Sequence, residues 1–247
     1  MVSDLPGTSK TTNNTLNLKP KIRIDLDVIT PGLYAEGYAA LDYTFNNGKT
    51  TNTPYDIYSY DSVSGEYTNQ RDATGSVSVS SWSSNSSSIT LNVRIGYSHL
   101  FNNAHQINAF VAYEQNKYHY NYLYGYRTNF VSSALPDLDY GSTDKTNQSN
   151  SGNSNETARQ NWFGRVNYGY KDKYLAEVTL RYDGSINFAP GHRWGLFPGL
   201  SAGWVISEEN FFEPLKDVFS FFKLKGSWGM MGNDNITVSY THLRAHE

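Results

Sequence analysis

Residues 16–28 read LNLKPKIRIDLDV, with Leu16, Leu18, Ile22, Ile24, Leu26 and Val28 at even positions. The odd positions hold Asn17, Lys19, Lys21, Arg23, Asp25 and Asp27. A period of two places successive side chains on opposite faces of an extended chain, so this stretch is a strand with one apolar and one charged face. Pro20 has no N–H to give to a neighbour and predicts a bulge or a locally unpaired position there.

The pattern repeats outward from this strand. Thr30-Pro31-Gly32 is a turn signal, and alternation resumes through Leu33, Ala35, Gly37, Ala39, Leu41, Tyr43 and Phe45. The same unit returns as SITLNVRIGYSHLF, NNAH and QINAFVAYEQNKYHY, and again as NWFGRVNYGY, KDK and YLAEVTLRYDG. A last pair runs through FPGLSAGWVI and FSFFKLKGSWGMM, joined by SEENFFEPLKD, which holds one helical turn starting at Ser207 and stopped near Pro214. About eight strands result. Short turns fall near residues 30, 103, 172 and 210, and long polar segments occupy about 46–86, 121–160 and 184–196. Outer-membrane barrels alternate short periplasmic turns with long extracellular loops in this way. The Ser/Asn-rich stretch 141–157 reads as a surface loop.

Composition narrows the classes. The 247 residues include 20 Tyr and 20 Gly with 17% charged residues, a balance suited to strands and turns. The absence of Cys removes disulfide frameworks, thiolate metal sites and Cys nucleophiles. A formal net charge of -3 gives no footprint for nucleic acid. No N-terminal signal peptide and no apolar run of about 20 residues is present. A soluble protein and a membrane barrel with its export signal elsewhere are both compatible with that, since barrel strands give only a weak hydropathy signal.

A soluble sandwich also alternates, so three further features decide for a barrel. Aromatics gather at strand ends, as in Tyr168, Tyr170, Tyr174 and Tyr182, which fits interfacial girdles. The apolar faces mix rings with Ala35, Gly37 and Ala39, poor filling for a close-packed core. No segment supplies a second layer. In a membrane, Lys19, Lys21, Arg23, Asp25 and Asp27 must face the lumen, with Arg94, Arg165, Glu177 and Arg181 on the same face, because mid-bilayer Lys or Arg costs roughly 2–4 kcal/mol.

From residue 161 the chain reads NWFGRVNYGYKDKYLAEVTLRYDGSINFAPGHRWGLFPGLSAGWVISEENFF, then KLKGSWGMMGN. This resembles the SusC/RagA type of TonB-linked outer-membrane proteins in the order and spacing of FGRVNY, YKDKYL, LRYDGS, RWG, SAGW and ISEE. Asn187, Val205 and Met231 depart from residues usual there, Arg, Arg and Thr, without breaking the strand pattern. Residues 15–138 resemble the middle barrel of the same family.

The resemblance implies an all-β fold: an antiparallel transmembrane β-barrel segment, an internal fragment of a barrel of about 22 strands. Its expected divisions are a polar partial segment at 1–14, receptor barrel at 15–236, and a tail at 237–247 that resembles a translated adapter. The implied role is part of the wall of a TonB-dependent nutrient importer for oligosaccharide or peptide in a Gram-negative, Bacteroidetes-like outer membrane. TonB, a SusD-like surface lipoprotein and membrane lipid are the implied partners; no nucleic acid and no cofactor are expected. The alternative is a non-transporting barrel that anchors or displays surface loops.

Tyr118, Tyr120, Tyr122, Tyr124 and Tyr126 read as loop residues that are candidates for contact with substrate, by stacking on sugar rings, or with a partner, with girdle and loop packing as the plainer alternative. An enzyme using Asp183, His192, Glu208 and Glu209 is not expected: the strand pattern separates Asp183 from Glu208 by roughly 30 Å at about 3.3 Å per residue, whereas a glycosidase pair flanks one bond. His242 and His246 have zinc-helix spacing, but Leu243 stands where a metalloprotease has Glu, and no metal site is expected.

Overall fold

The structure is a computed structural model that describes residues 7–234. The tail at 237–247, with His242 and His246, lies outside the described residues. Among the described residues eleven strands are formed: β1 (Gly7–Leu18), β2 (Lys21–Asp25), β3 (Leu33–Asn52), β4 (Ile57–Tyr60), β5 (Tyr67–Arg71), β6 (Ser78–Phe101), β7 (His105–Thr128), β8 (Gln148–Tyr170), β9 (Tyr174–Ser185), β10 (Trp194–Val205) and β11 (Lys223–Gly229). One sheet runs in the order β1-β3-β6-β7-β8-β9-β10-β11, with β2 also paired to β3, and β4 and β5 form a separate hairpin. The main path has eight strands joined as a meander, the number expected from alternation. Among the described residues no helix is long and apolar enough to cross a membrane, which says nothing of strands.

Local chemistry accounts for the connections. β1 and β2 are interrupted at Lys19 and Pro20, where the ladder loses a donor; the Pro20 carbonyl still accepts from Ala39 N–H at 3.2 Å. The β6–β7 turn places Asn102 and Asn103 at φ 51° and 52°, and the β8–β9 turn places Lys171 and Asp172 at 50° and 56°. Two successive left-handed residues make the tight hairpin turn whose twist matches its strands. The β10–β11 link forms two 3-10 turns, Ile206–Glu208 and Asn210–Leu215, the second containing Pro214.

The chain divides into two compact units. One consists of residues 18–41, 88–118 and 157–247, with described residues up to 234. Here the register aligns Leu200 with Val178 and Trp228, and Ser201 with Glu177 and Ser227, so that apolar and polar residues segregate to opposite faces. The apolar face is open: Ile95 is 52% exposed, Val178 49% and Leu200 51%. A row of open aliphatic side chains on a single-layer sheet requires an apolar solvent, and hydrocarbon tolerates a sheet whose backbone groups are paired.

The other unit consists of residues 1–17, 42–87 and 119–156, described from residue 7. It corrects the loop expectation. Strand structure covers 46–52, 78–86, 121–128 and 148–160 of the segments read as long loops, and most of the stretch 141–157 belongs to β8. Outside the tyrosine run of 121–128, Ser, Thr and Asn dominate both faces there, so little apolar alternation marks those strands, while backbone pairing and side-chain contacts hold them. Examples are Ser9 with Thr50 at 3.0 Å and Ser76 with Thr128 at 2.6 Å. Strand β1 begins at Gly7, within the polar segment 1–14. β6 and β7 run 24 residues each, more than twice the roughly 9–11 residues that cross a bilayer.

Candidate functional site

The polar face of the unit containing β9 and β10 carries a connected set of charges. Glu36, on β3, is buried and accepts from Lys21 Nζ at 2.9 Å and from the Arg94 guanidinium. Glu114, on β7, accepts from the Tyr38 hydroxyl at 2.9 Å and the Asn92 amide at 3.0 Å. Aromatic rings hold three further cations: Arg23 lies 4.0 Å from the Tyr34 centroid, Lys19 4.3 Å from Tyr38, and Arg181 5.2 Å from Phe163. Each charged head lies over a ring face, whose quadrupole attracts it.

The expected lumen charges are distributed as follows. Lys21, Arg23, Asp25, Arg94, Arg165, Glu177 and Arg181 stand on strands, with Arg23 paired to Asp25 at 3.0 Å and Arg165 to Glu177 at 3.8 Å. Lys19 stands in the break between β1 and β2. Asp27 instead serves the following turn, its Oδ1 accepting the Gly32 N–H at 2.7 Å. Glu36, Tyr38 and Glu114 were not singled out in the sequence; Glu36 alone carries a signal, as the charge inside the run LYAEGYAAL.

At the end of this face a cavity of about 330 Å³ is lined by Arg159, Arg181, Asp183, His192, Arg193, Trp194 and Phe197, among others. Arg159 forks onto Asp234 at 2.6 and 2.9 Å, and Arg181 onto Asp183 at 3.1 and 3.3 Å. Phe188, Trp194 and Phe197 supply apolar walls. Asp183, His192 and Arg193 therefore line one cavity, whereas Glu208 and Glu209 lie beyond the other end of β10.

Glu209 is a structural acceptor. It takes the Tyr174 hydroxyl at 2.6 Å, the Trp204 indole at 3.2 Å and Lys173 Nζ at 3.3 Å. These bonds, the Tyr174 hydroxyl first, hold its carboxyl below the ordinary glutamate value. The five candidate tyrosines also change setting. Tyr118, Tyr120, Tyr122, Tyr124 and Tyr126 belong to β7 rather than to a loop, and all are half-buried; Tyr122 lies 6.5 Å from Trp82, ring centre to ring centre.

A single-layer antiparallel sheet with tight turns, one open apolar face and one charged face is a segment of an outer-membrane-type β-barrel wall. Comparison with models of known protein families finds no match. Individual proteins do match. The TonB-dependent receptor SusC of Bacteroides thetaiotaomicron is 44% identical over 82 residues, 33% of this chain and 8% of that protein. The TonB-dependent receptor P39 of Formosa agariphila is 30% identical over 141 residues, 57% of this chain and 13% of that protein. Among solved structures, the RagAB peptide transporter superposes with a TM-score of 0.78 at 19% identity, covering 94% of this chain and 24% of that one. Over these stretches the chain is similar to TonB-dependent receptors, SusC among them, and it shares the fold of the RagAB peptide transporter. It spans about a tenth of the length of these curated relatives and about a quarter of the solved chain.

Proposed function

We propose that residues 15–236 form part of the barrel wall of a TonB-dependent importer that carries oligosaccharide or peptide across the outer membrane of a Bacteroidetes-like bacterium. The two-faced sheet is the observation that carries this reading: its apolar side suits lipid and its charged side suits a wet passage. The charge row around Glu36, the cavity beside Arg181 and the tyrosines of β7 are what the wall offers to cargo. Energy comes from TonB, and a SusD-like lipoprotein covers the outer mouth. Asp183, beside Gly195 at the start of β10, and Glu208, past the end of that strand, are too far apart to flank one bond, which supports a wall without an enzymatic role.

The test is uptake by the intact protein in cells. A labelled oligosaccharide or peptide should enter only when TonB is present, and uptake indifferent to TonB deletion contradicts import. A surface-exposed protein that supports adhesion but no uptake would establish the anchoring alternative.

A further inference from the structure

The β4–β5 hairpin is a preformed aromatic platform within one unit. Its register pairs Tyr58 with Asn69, Ser59 with Thr68 and Tyr60 with Tyr67. Tyr58, Tyr60, Tyr67 and Asn69 therefore share one face. The rings are open: Tyr58 is 55% exposed, Tyr60 57% and Tyr67 72%. The Tyr60 and Tyr67 centroids are 5.0 Å apart with planes tilted by 43°, forming a shallow aromatic notch.

The hairpin is tied within itself. Asp61 accepts the Val63 N–H at 2.8 Å and the Ser64 hydroxyl at 3.0 Å, and its own backbone pairs with Glu66 and Gly65. Gly65 takes φ 74°, the left-handed conformation the turn requires. Asp56 Oδ1 accepts the Ala73 N–H at 2.6 Å and closes the base. A ligand meeting this face does not have to order it, which removes one cost of binding.

We propose that this face binds an uncharged oligosaccharide by stacking pyranose rings on Tyr60, Tyr67 and Tyr58. Three properties select that ligand. Open ring faces suit the flat C–H faces of equatorially substituted sugars. Four carboxylates against one Arg make residues 55–73 net negative, which disfavours anionic ligands. Protein interfaces use about 20–30 residues a side, and two strands of four and five residues fall well short. A peptide that extends a sheet reads its edge, not the face that carries these rings. The site deepens the import reading by naming a cargo class, and rests on that reading for the fate of the bound sugar.

The test measures cellohexaose binding to the intact detergent-solubilised protein by saturation-transfer NMR and calorimetry. Wild type is expected to show saturation of the sugar ring protons. A Tyr60→Ala/Tyr67→Ala variant should bind at least 10-fold more weakly and Tyr60→Phe/Tyr67→Phe within about threefold, because stacking needs the ring and not the hydroxyl. Circular dichroism and heat-modifiable gel mobility verify folding of both. No binding by wild type, equal binding by the Ala variant, or equal loss in both variants overturns the proposal; binding of an uncharged hexapeptide that the Ala pair abolishes equally would also overturn it. Since binding is read without TonB, TonB-independent uptake would defeat import while leaving this result standing.

Discussion

The indole N–H of Trp204, at the end of β10, donates to the Glu209 carboxylate at 3.2 Å. The same carboxylate receives the Tyr174 hydroxyl from the start of β9 and Lys173 from the β8–β9 turn. One side chain thereby fastens the longest link at this end to its neighbouring hairpin. The GWVISEE segment, whose two glutamates resemble catalytic carboxylates in one dimension, is in three dimensions a strand end and a clasp.

The clasp makes stability depend on acid. The Glu209 carboxyl is held below its ordinary value of 4.5 by the Tyr174 hydroxyl, then the Trp204 indole, with Lys173 adding to them. A lowered folded-state value means that the stabilisation is fully present above the ordinary value and is lost as pH falls through the folded one. Thermal unfolding of the intact protein in detergent, scanned downward from pH 5, should show an acid-sensitive component that Glu209→Gln lacks. Identical acid profiles would show that the clasp contributes nothing.

The two faces of β10 should respond oppositely to charge. Leu200, aligned with Val178 and Trp228, meets lipid, so Leu200→Arg should destabilise the assembled barrel by about 2–4 kcal/mol. Ser201→Arg, one residue along and facing Glu177, should cost less than about 1 kcal/mol. Urea titration of the refolded protein in lipid vesicles measures both.

Glu36 joins three strands through Lys21 and Arg94. Glu36→Leu leaves both cations without their shared acceptor and should cost on the order of 1–3 kcal/mol. Combining it with Lys21→Met should recover part of that loss, because residues of one network are not additive. Denaturant midpoints of the two single variants and the double variant give the coupling.

Gly48 and Trp82 are fitted to each other. A Cβ on Gly48 would fall inside the van der Waals envelope of the Trp82 indole, so Gly48→Ala should cost about 1–3 kcal/mol through displacement of that ring. In a Trp82→Ala background the same change should be close to neutral, and a double-mutant cycle on thermal midpoints reads the difference.

The legible parts of the sequence were those that lipid shapes. Leu16 to Phe45 and Trp162 to Trp228 alternate because one face meets hydrocarbon and the other water, and both hairpin series were located with their turns. Residues 78–88 and 148–160 carry Ser and Asn on both faces, so the backbone ladder that makes them strands leaves no mark in hydropathy. The tyrosines from 118 to 126 recur every second residue, itself a strand signature, but the polar surroundings made them look like loop residues. Glu36 and Glu114 gain their meaning from partners on other strands, at sequence distances of 58 between Glu36 and Arg94 and 76 between Tyr38 and Glu114. The β4–β5 hairpin lay concealed in the same way, inside a segment whose only cue was composition.

The most direct test of the central claim, a membrane wall with lipid on one side and water on the other, is a nitroxide scan of residues 199–205 in the intact protein reconstituted in lipid. The chain contributes no Cys of its own, and with any Cys elsewhere in the intact protein replaced, each introduced Cys reports one position. Oxygen accessibility should peak at Leu200, Ala202 and Trp204, with contact to a water-soluble nickel chelate at Gly199, Ser201 and Gly203. Accessibility that fails to alternate, or that alternates with the opposite phase, would contradict the account.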